Sequence, residues 1–412
     1  MHVLILEPLS SGAALVPAAR RMGLRAVVFT ANRGERQLSA ECQEWATSAT
    51  TVDTYDHEAV FLAAEHLRRN VNLQAVIPGF EYCVDVAAKT AARLGLPHLS
   101  EEAATAARNK FVCRERLKAA GLNVPRYALM HTLADIEPSA KAVGFPAILK
   151  PADGAGSISV QRVDSLLELR RAFEDLSRGL LDVEHLVGAP FLLEEFLDGP
   201  EFSIEGYVDR GEPHVLAVTE KQLGEAPYFV EMGHVVEAAI SVDERREMVK
   251  YVEQVTRAID LRLGAFHAEA RITTSGPVLI EINCRLGGDR IIRLVELAKG
   301  ISPSAAVVRS HCGLEILQEN ISLDQRHGVA GVRFLSMAGS ATMGNVKGME
   351  EVRAMPGCQE AEIYFRAGEK VPALTDFRGR VGHILFTADD RPALDERLRQ
   401  AEKRIQILPQ QA

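Results

Sequence analysis

The sequence predicts a protein of mixed α/β and α+β class, because two kinds of strand pattern occur along it. Near the N-terminus, short apolar strands alternate with helical stretches, which is typical of a parallel α/β layer. These strands lie at residues 3–6, 25–29 and 75–79. Farther on, residues 266–272 and 278–283 alternate apolar and polar positions around a Thr274-Ser275-Gly276-Pro277 turn, which predicts a β-hairpin. From about residue 317, glycine-punctuated strands and a final charged helix predict a smaller α+β segment.

Length and composition are those of an ordinary globular protein with roughly two to four domains. Of the 412 residues, 47% are hydrophobic and 25% are charged. The formal net charge of −9 argues against a nucleic-acid partner, which would require a basic face. Six dispersed cysteines without zinc spacing predict reduced thiols in a cytoplasmic protein. Neither a basic leader nor an apolar run of about 18 residues is present, so we expect no secretion and no membrane partner.

The middle of the chain predicts strands and helices that carry candidate functional residues. A helix is expected over residues 101–120, and a strand over residues 144–151 leads through Lys150 into a glycine-rich turn. The other expected elements are strands at 158–162, 191–195, 202–208 and 214–219, and helices at 81–94, 243–260, 290–299 and 392–405. The first turn, at residues 7–12, lacks the GxGxxG pattern, so a dinucleotide site is not expected there.

Three oxygen-bearing side chains lie on the predicted hairpin. If the hairpin is symmetric about Ser275, Glu269 lies directly opposite Glu281, and Asn283 shares the face of Glu281 because side chains repeat every two residues. Carboxylates opposed across a sheet are about 5 Å apart and repel each other. A bound cation would remove this penalty, and Mg²⁺ prefers carboxylate and amide oxygens. The alternative is a solvated strand face with scattered acids.

Lys150 and the glycine-rich turn after it suit phosphate binding, because backbone N–H groups hold phosphate oxygens while the lysine adds positive charge. Alone, this pattern also fits an ordinary surface loop. The order of charged residues is more specific, and it resembles the ATP-grasp enzymes, which use ATP to join a carboxylate to an amine or a similar nucleophile. Over about residues 1–310, the matching series is Lys110, Lys150 with its loop, Glu194-Glu195-Phe196-Leu197, Glu201, Lys221, Glu269, Glu281 and Asn283.

The resemblance implies an ATP-grasp fold in four parts. These are an N-terminal Rossmann-like pre-ATP-grasp domain at residues 1–108, a lid subdomain at 109–190, a catalytic subdomain at 191–316 and a C-terminal α+β extension at 317–412. It also implies ATP and two Mg²⁺ ions as cofactors, with Mn²⁺ as an alternative metal. Amino acids would be the small-molecule substrates. Related ligases are often dimers, so a homodimer is an open possibility.

The resemblance also implies a role for each matching residue. Lys110 and Lys150 would contact the phosphates beneath a loop formed by Gly154, Gly156 and Ser157, and Lys221 would reach the terminal phosphate. The base and ribose would be bound by Glu195, Leu197 and Glu201, with Glu194 as a further nucleotide-binding residue. The metal would be bound by Glu269, Glu281 and Asn283. Two alternatives stay open: Glu194 as an exposed strand acid, and Glu201 as a plain turn residue.

Within that superfamily, residues 194–206 look most like the L-amino-acid ligases, the bacilysin-type dipeptide synthetases. His234 lies where that family has a histidine in its peptide-binding site, although it could also simply pack. Arg285 matches an arginine that stabilises the transferred phosphate and the tetrahedral oxyanion, and Gly288 would add a backbone N–H to this oxyanion hole. The segment after residue 320 is similar to the C-terminal region of such ligases.

Two features near these residues leave alternatives open. Asp289 stands where the bacilysin-type enzyme carries a bulky aromatic residue. It could bind a substrate amine or a cationic substrate side chain, or it could pair with Arg290 or Arg293. His267 and Arg271 flank Glu269 on the same strand face, where they could orient its carboxylate.

The implied reaction joins two L-amino acids through an acyl phosphate and releases ADP and phosphate. One alternative is an ATP-grasp ligase that makes a non-proteinogenic amide or pseudodipeptide. The others are a carboxylase that activates bicarbonate and a non-catalytic nucleotide sensor. The intact set of Glu269, Glu281 and Asn283 argues against a sensor, which need not retain all three.

Overall fold

The computed structural model describes residues 1–154, 159–179, 189–315, 327–337, 339 and 341–410, beginning with an α/β domain. Its elements are β1 (His2–Leu6), α1 (Leu15–Arg21), β2 (Arg25–Thr30), α2 (Ala40–Trp45), β3 (Ser48–Thr51), α3 (His57–Asn70), β4 (Leu73–Pro78) and α4 (Val84–Arg93). The strands form a parallel sheet in the order β3-β2-β1-β4, so the three predicted N-terminal strands are confirmed. The turn after β1 requires Gly12, because a Cβ there would lie 1.8 Å from the carbonyl oxygen of Gly79.

The single helix predicted over residues 101–120 is wrong, because it consists of α5 (Glu101–Arg108) and α6 (Lys110–Ala119). Asn109 between them adopts an extended conformation and caps α6, with its side chain accepting from the Val112 N–H at 3.0 Å. The Lys110 N–H donates to the Ala152 carbonyl at 2.9 Å. The break therefore places Lys110 beside the end of the strand that carries Lys150.

A four-stranded sheet follows, which we call the lid sheet. Its elements are β5 (Tyr127–Met130), α7 (Ile136–Val143), β6 (Ala147–Pro151), β7 (Gln161–Val163), α8 (Leu166–Gly179) and β8 (Phe191–Glu195), and the strand order is β5-β8-β6-β7. Since β8 pairs with both β5 and β6, the predicted boundary between residues 190 and 191 cuts through this sheet. The strand predicted at 158–162 is β7, and residue 158 lies outside the described residues.

An eight-stranded sheet forms the rest of the scaffold. The chain segment that supplies its first strands contains β9 (Glu201–Asp209), β10 (Glu212–Leu223), β11 (Glu231–Val236), α9 (Val242–Ala258), β12 (Gly264–Thr273), β13 (Gly276–Asn283), α10 (Ile291–Lys299) and α11 (Pro303–His311). The C-terminal part contains β14 (Val329–Ser336), β15 (Ala341–Lys347), α12 (Met349–Arg353), β16 (Cys358–Ile363), β17 (Lys370–Val371), β18 (Arg380–Ala388), α13 (Arg391–Arg404) and β19 (Gln406–Pro409).

The order of this large sheet is β13-β12-β9-β10-β11-β14-β18-β16, and β17, β15 and β19 form a smaller sheet. The C-terminal extension is thus continuous with the catalytic part, because β11 pairs with β14 and places His234 opposite Val332. Apolar side chains from both parts, such as Val236, Ala330 and Leu385, share one buried core. The extension therefore forms one wall of the same body.

The β12–β13 hairpin opposes Glu269 to Glu281, as predicted, but for a different reason. Thr273 pairs with Gly276, so the turn holds two residues and the simple register would oppose Glu269 to Ile280. A β-bulge at Ile280 adds one residue to β13 and restores the opposition of the two acids. Both Ile280 and Glu281 line the same cavity as a result.

Arg114 on α6 ties the lid sheet to this hairpin. Its guanidinium is fully buried and donates from Nε and Nη2 to the two carboxylate oxygens of Glu194, at 2.6 and 3.2 Å. Nη2 also donates to the Ile280 carbonyl at 2.6 Å. Arg126, by contrast, is 61% exposed where it pairs with the neighbouring Glu195.

The described helices do not include one that is long and apolar enough to cross a lipid bilayer. All six cysteines are free thiols, in agreement with the sequence prediction.

We expect Arg114→Met to destabilise the protein far more than Arg126→Met. Removing Arg114 leaves Glu194 with Lys150 as its remaining buried cation and leaves the Ile280 carbonyl without its donor. Breaking a buried ion pair costs up to about 3–5 kcal/mol. An exposed pair contributes about 1 kcal/mol or less. Thermal melting of both variants beside the wild type measures the difference. Equal shifts in melting temperature would show that Glu194 does not depend on Arg114.

Candidate active site

Most of the predicted site residues line one cavity between the lid sheet and the large sheet. They are Lys110, Lys150, Gly154, Glu194, Glu195, Leu197, Glu201, Lys221, Glu269, Glu281, Arg285, Gly288 and Asp289. Asn283 and His234 are buried just behind this lining. Gly156 and Ser157 lie outside the described residues. The structure therefore brings together residues that are up to 179 positions apart, from Lys110 to Asp289; their individual roles stay predictions.

One end of the cavity is apolar. The rings of Phe196 and Phe229 lie 5.8 Å apart, and the guanidinium of Arg271 lies 5.2 Å from the Phe196 ring. Ile148 and Ile280 complete this wall. Such a slot at the C-terminal end of β8 fits a planar base that stacks on side chains and bonds to backbone groups.

Glu201 lies at the edge of this slot and is no plain turn residue. It begins β9, where its carboxylate accepts from Arg271 Nε at 3.0 Å and from Lys221 Nζ at 2.7 Å. Arg271 Nη1 also donates to the Leu197 carbonyl at 2.5 Å. Arg271 therefore fixes two of the groups that were assigned to base and ribose binding.

Glu194 supports Lys150. The alternative of an exposed strand acid is wrong, since Glu194 is 4% exposed. Its carboxylate contacts Lys150 Nζ at 2.5 Å in addition to Arg114. Burial alone would raise the pKa of Glu194, but Arg114 and Lys150 hold it below its usual value. Glu194 therefore remains ionised and fixes the lysine at the cavity wall.

Lys221 is a single cation shared by three acids. Its Nζ lies 2.7 Å from Glu201, 2.7 Å from Glu231 and 2.6 Å from Glu269. Although burial opposes the charged form, these carboxylates raise the pKa of Lys221 well above its usual value. Glu231 was missed by the sequence analysis, although it lies three residues before His234 on the same strand. The same three carboxylates also contact Arg271, His267 and Arg380, so Lys221 is one of several cations that compensate them.

Glu281 has its own cation. Lys110 Nζ lies 3.1 Å from its carboxylate, and Asn283 Nδ2 donates to it at 2.9 Å. Burial alone would raise the pKa of Glu281, but Lys110 and Asn283 lower it. The sequence analysis named a bound cation as the group that removes the repulsion between Glu269 and Glu281, and it overlooked the lysines. Lys221 and Lys110, which come from distant parts of the chain, already offset the repulsion.

His267 links Glu269 to a second buried acid. Its Nδ1 lies 2.9 Å from Glu205, its Nε2 lies 3.0 Å from Glu269, and Ser203 Oγ donates to Glu205 at 2.7 Å. Burial alone would lower the pKa of His267, but Glu205 and Glu269 raise it to about 10. The protonated ring therefore donates to both acids and orients Glu269, which is the role that the sequence analysis offered for His267.

Glu205 was missed by the sequence analysis, although alternation along β9 signals it. Glu201, Ser203 and Glu205 share one strand face because they are two residues apart. Gly287 belongs to the same arrangement, since a Cβ there would lie 2.5 Å from Glu205 Oε2 and 2.9 Å from His267 Nδ1. A side chain at residue 287 would therefore displace Glu205 and His267, which orient Glu269.

Arg285 lies at the opposite end of the cavity from the apolar slot. Its Nε donates to Glu81 Oε2 at 2.7 Å, and Arg108 Nη1 donates to Glu81 Oε1 at 3.0 Å. Glu81 is 2% exposed and comes from the N-terminal domain. No local pattern signals it, because 204 residues separate it from Arg285. A Cβ on the nearby Gly288 would meet open space, so its backbone borders a free volume.

Asp289 does not pair with Arg290 or Arg293, contrary to one of the expected alternatives. Its Oδ2 contacts Arg380 Nη1 at 2.7 Å and His234 Nε2 at 3.2 Å. Arg290 instead binds Glu360 and Glu362, and Arg293 lies near Glu296 and Glu360. Arg380 begins β18 of the C-terminal extension. Asp289 therefore pairs with an arginine 91 positions away in the sequence and not with the neighbouring arginines that were predicted.

The donor set on the hairpin fits a hard divalent cation. Glu269 and Glu281 supply carboxylate oxygens from opposed positions, and Asn283 bonds to Glu281 through its nitrogen, so its amide oxygen takes no part in that bond. These oxygen ligands suit Mg²⁺, and Mn²⁺ takes the same kind.

Two family descriptions match parts of the chain. Residues 143–293 match the ATP-grasp domain, and residues 333–408 match the L-amino acid ligase C-terminal domain 2. The structure is similar to the crystal structure of an L-amino acid ligase from Bacillus licheniformis, with a TM-score of 0.86 and 25% sequence identity. This alignment covers 100% of the present chain and 99% of that one. The predicted ATP-grasp fold is thus confirmed.

Two sequence relatives extend the comparison. An uncharacterized protein, y4rH, of Sinorhizobium fredii (strain NBRC 101917 / NGR234) is 28% identical over 407 residues, which cover 98% of this chain and 82% of that protein. Alanine–anticapsin ligase of Bacillus subtilis is 27% identical over 259 residues, which cover 58% of this chain. The match spans 54% of the latter, so it extends over about half the length of that ligase.

We expect Lys221→Met to destabilise the protein in a pH-dependent way. In the wild type the pKa of Lys221 is raised and those of Glu201 and Glu231 are lowered, so their pairing stabilises the fold at neutral pH. Without the lysine, the buried carboxylates acquire raised pKa values and take up protons as the pH falls. The loss of melting temperature should therefore be largest near pH 8 and shrink toward about pH 5.

Lys89→Met is the matched control, because Lys89 is 46% exposed and lies 4.0 Å from Asp85. Its melting temperature should stay close to that of the wild type throughout. A deficit in Lys221→Met that does not change with pH would contradict the shared ion-pair arrangement.

Proposed function

We propose that this chain, which belongs to the ATP-grasp ligases and carries an L-amino acid ligase C-terminal domain, joins two L-amino acids into a dipeptide. ATP-grasp ligases are ATP-dependent, ADP-forming enzymes that make C–N bonds. The proposal is supported by one observation: three lysines, two opposed acids and an arginine close to a glycine backbone line one cavity. Lys110, Lys150 and Lys221 supply the first group, Glu269 and Glu281 the second, and Arg285 and Gly288 the third.

The nucleotide would lie along this cavity with its base in the slot near Phe196. The ribose would meet Glu201, and the phosphates would extend past Lys150 and Lys110 toward Arg285. Glu269, Glu281 and Asn283 are the residues that would hold Mg²⁺, whose contribution is to neutralise charge on the phosphates. Phosphate oxygens would take over the Lys110 contact that Glu281 makes in this structure, while Lys150 would keep its contact with Glu194.

In the first step, a carboxylate oxygen of one amino acid attacks the γ-phosphorus of ATP, and the bond to the β-phosphate oxygen breaks. The products are an acyl phosphate and ADP. Lys150 and Lys110 stabilise the charge that moves during this transfer, and Arg285 holds the carboxylate and the transferred group in line. Glu81 keeps the Arg285 guanidinium in place through the bond at Nε.

In the second step, the neutral amine of the other amino acid attacks the acyl carbon. A tetrahedral oxyanion forms and is met by Arg285 and the Gly288 N–H, after which phosphate leaves and the amide remains. The amine loses one proton overall. No nucleophilic side chain is required, because the phosphate itself activates the carboxylate.

The identity of the two amino acids cannot be transferred from alanine–anticapsin ligase. Asp289 and its partner Arg380 give this part of the cavity a charge pattern of its own. For the same reason, a ligase that makes a non-proteinogenic amide is the second candidate.

A phosphate-release screen over pairs of amino acids, with mass detection of products, tests the function. We expect at least one pair to release phosphate and to give a product with the mass of the dipeptide. Product only with non-proteinogenic amines would favour the second candidate. ATP binding without ADP formation for any pair would contradict both ligase assignments.

Two variants test the assigned roles in the same assay. Glu281→Ala should abolish ATP turnover, because it removes a carboxylate assigned to Mg²⁺. Arg285→Ala should leave nucleotide affinity almost unchanged and reduce ligation about 10²- to 10³-fold, as loss of an oxyanion donor does. Calorimetric titration with an ATP analogue measures the affinity. Equal loss of nucleotide binding in both variants would count against these roles.

Glu81→Gln should lower the rate of ligation by about 10- to 100-fold without changing ATP affinity, as expected of a residue that orients another. Glu81→Asp should restore part of the rate, since it returns the carboxylate. Arg108→Gln is the control, because it removes the other partner of Glu81 and leaves the bond to Arg285. If Arg108→Gln lost as much ligation activity as Glu81→Gln, the role of Glu81 would be structural.

A further inference from the structure

A second cavity adjoins the nucleotide cavity at Asp289, which lines both. Its volume is 850 Å³, within the range of about 300–1,000 Å³ that is usual for ligand pockets. The walls come from three parts of the molecule: α1 of the N-terminal domain, α10, and the C-terminal extension. No role in ATP binding or in the chemistry has been assigned to it above.

The rim of this second cavity is aromatic. Tyr364 is 46% exposed and Phe377 is 42% exposed, although both are large rings of a kind usually buried. Phe334 lies deeper, with the Arg380 guanidinium 4.1 Å from its ring. Exposed rings around a concave surface are typical of a site that covers an apolar group.

Two arginines of the wall are paired with acids of the same wall. Arg290 contacts Glu360 at 2.6 Å, and Arg293 lies 3.5 Å from Glu296. Each pair is neutral overall, so these two arginines do not require a charged ligand. The exposed rings of Tyr364 and Phe377 are open to a ligand.

At its junction with the nucleotide cavity, the second cavity meets two carboxylates, Asp289 and Glu231. His234 and Arg380 both bind Oδ2 of Asp289, whose side chain is 25% exposed, and Glu231 contacts Lys221 and Arg380. A carboxylate oxygen of Glu231 lies within 4.8 Å of Asp289. Two carboxylates that converge in this way suit a ligand ammonium group.

The junction also borders the oxyanion-binding pair. Gly288 directly precedes Asp289, and both line the nucleotide cavity together with Arg285. One α-carbon separates the carboxylate and ammonium of a free amino acid. A single amino acid can therefore present its carboxylate to Arg285 and Gly288 and its ammonium to Asp289. An ammonium held by a carboxylate stays protonated and is no nucleophile, so this amino acid is the carboxylate donor.

We propose, on the basis of the ligase function above, that the second cavity selects the carboxylate-donor amino acid. Asp289 and Glu231 bind its α-ammonium, and the ring-lined cavity takes a large apolar or aromatic side chain. The C-terminal extension thereby sets the substrate class through Tyr364 and Phe377, while the acyl phosphate forms in the nucleotide cavity.

Calorimetric binding to the full-length protein tests this, in the presence of Mg²⁺ and a non-hydrolysable ATP analogue. The probes are L-phenylalanine, glycine and N-acetyl-L-phenylalanine. We expect L-phenylalanine to bind at least tenfold more tightly than glycine, which lacks the side chain. It should also bind at least tenfold more tightly than the N-acetyl compound, which lacks the ammonium.

Phe377→Ala, at an exposed position, should weaken binding of L-phenylalanine about tenfold and leave glycine unaffected. Leu408→Ala is the matched control, because Leu408 is 43% exposed in the same C-terminal extension and does not line the cavity. Turnover with hydroxylamine as the only amine then identifies the donor. An acyl phosphate of L-phenylalanine would be trapped as its hydroxamate, with a KM for the amino acid that rises in Phe377→Ala.

Each result decides between the two proposals. Equal binding of L-phenylalanine and glycine, no measurable binding, or equal effects of the two variants would overturn the substrate assignment. Binding of L-phenylalanine without any hydroxamate, while other amino acids form one, would overturn the donor role. Selective binding that Phe377→Ala weakens, together with no ATP turnover for any amino-acid pair or with hydroxylamine, would leave the cavity assignment standing and refute the ligase function.

Discussion

The active site depends on burying carboxylates beside cations that come from other parts of the chain. Ionised acids inside a protein are tolerated only when they are paired and hydrogen-bonded. Glu194 meets Arg114 and Lys150, Glu281 meets Lys110, and Lys221 serves three acids at once. Each pair joins a different element to the cavity wall. The same ion pairs therefore hold the lid sheet, α6 and the hairpin together and shape the phosphate-binding surface.

These pairs also explain how the site accepts a highly charged nucleotide. Without a nucleotide, the lysines compensate the acids that are assigned to metal binding. On the proposed function, the lysines would contact phosphate oxygens and the acids would hold Mg²⁺, so the charge would remain compensated when a nucleotide binds. Since His267 is protonated by its position between Glu205 and Glu269, it would keep Glu269 oriented for this role.

The C-terminal extension is part of the site because it continues the large sheet. The pairing of β11 with β14 fixes Glu231 and His234 against the extension, and β18 brings Arg380 to Asp289. A cavity wall built by sheet pairing is rigid, so it can determine which substrate side chain fits the cavity. Variation in the extension would then change the substrate without altering the residues that bind ATP.

The sequence by itself indicated most of the residues that line the nucleotide cavity. Alternation with a period of two put Glu281 and Asn283 on one face, and the order of lysines, glycines and acids indicated the fold and the nucleotide site. It did not determine the hairpin register, which a bulge at Ile280 sets, or the break at Asn109. The tertiary structure alone decided the partners: Glu81 for Arg285, Arg380 for Asp289 and Lys110 for Glu281. Electrostatic pairing depends on distance in space, and residues separated by 91 to 204 positions leave no local pattern from which that distance can be read.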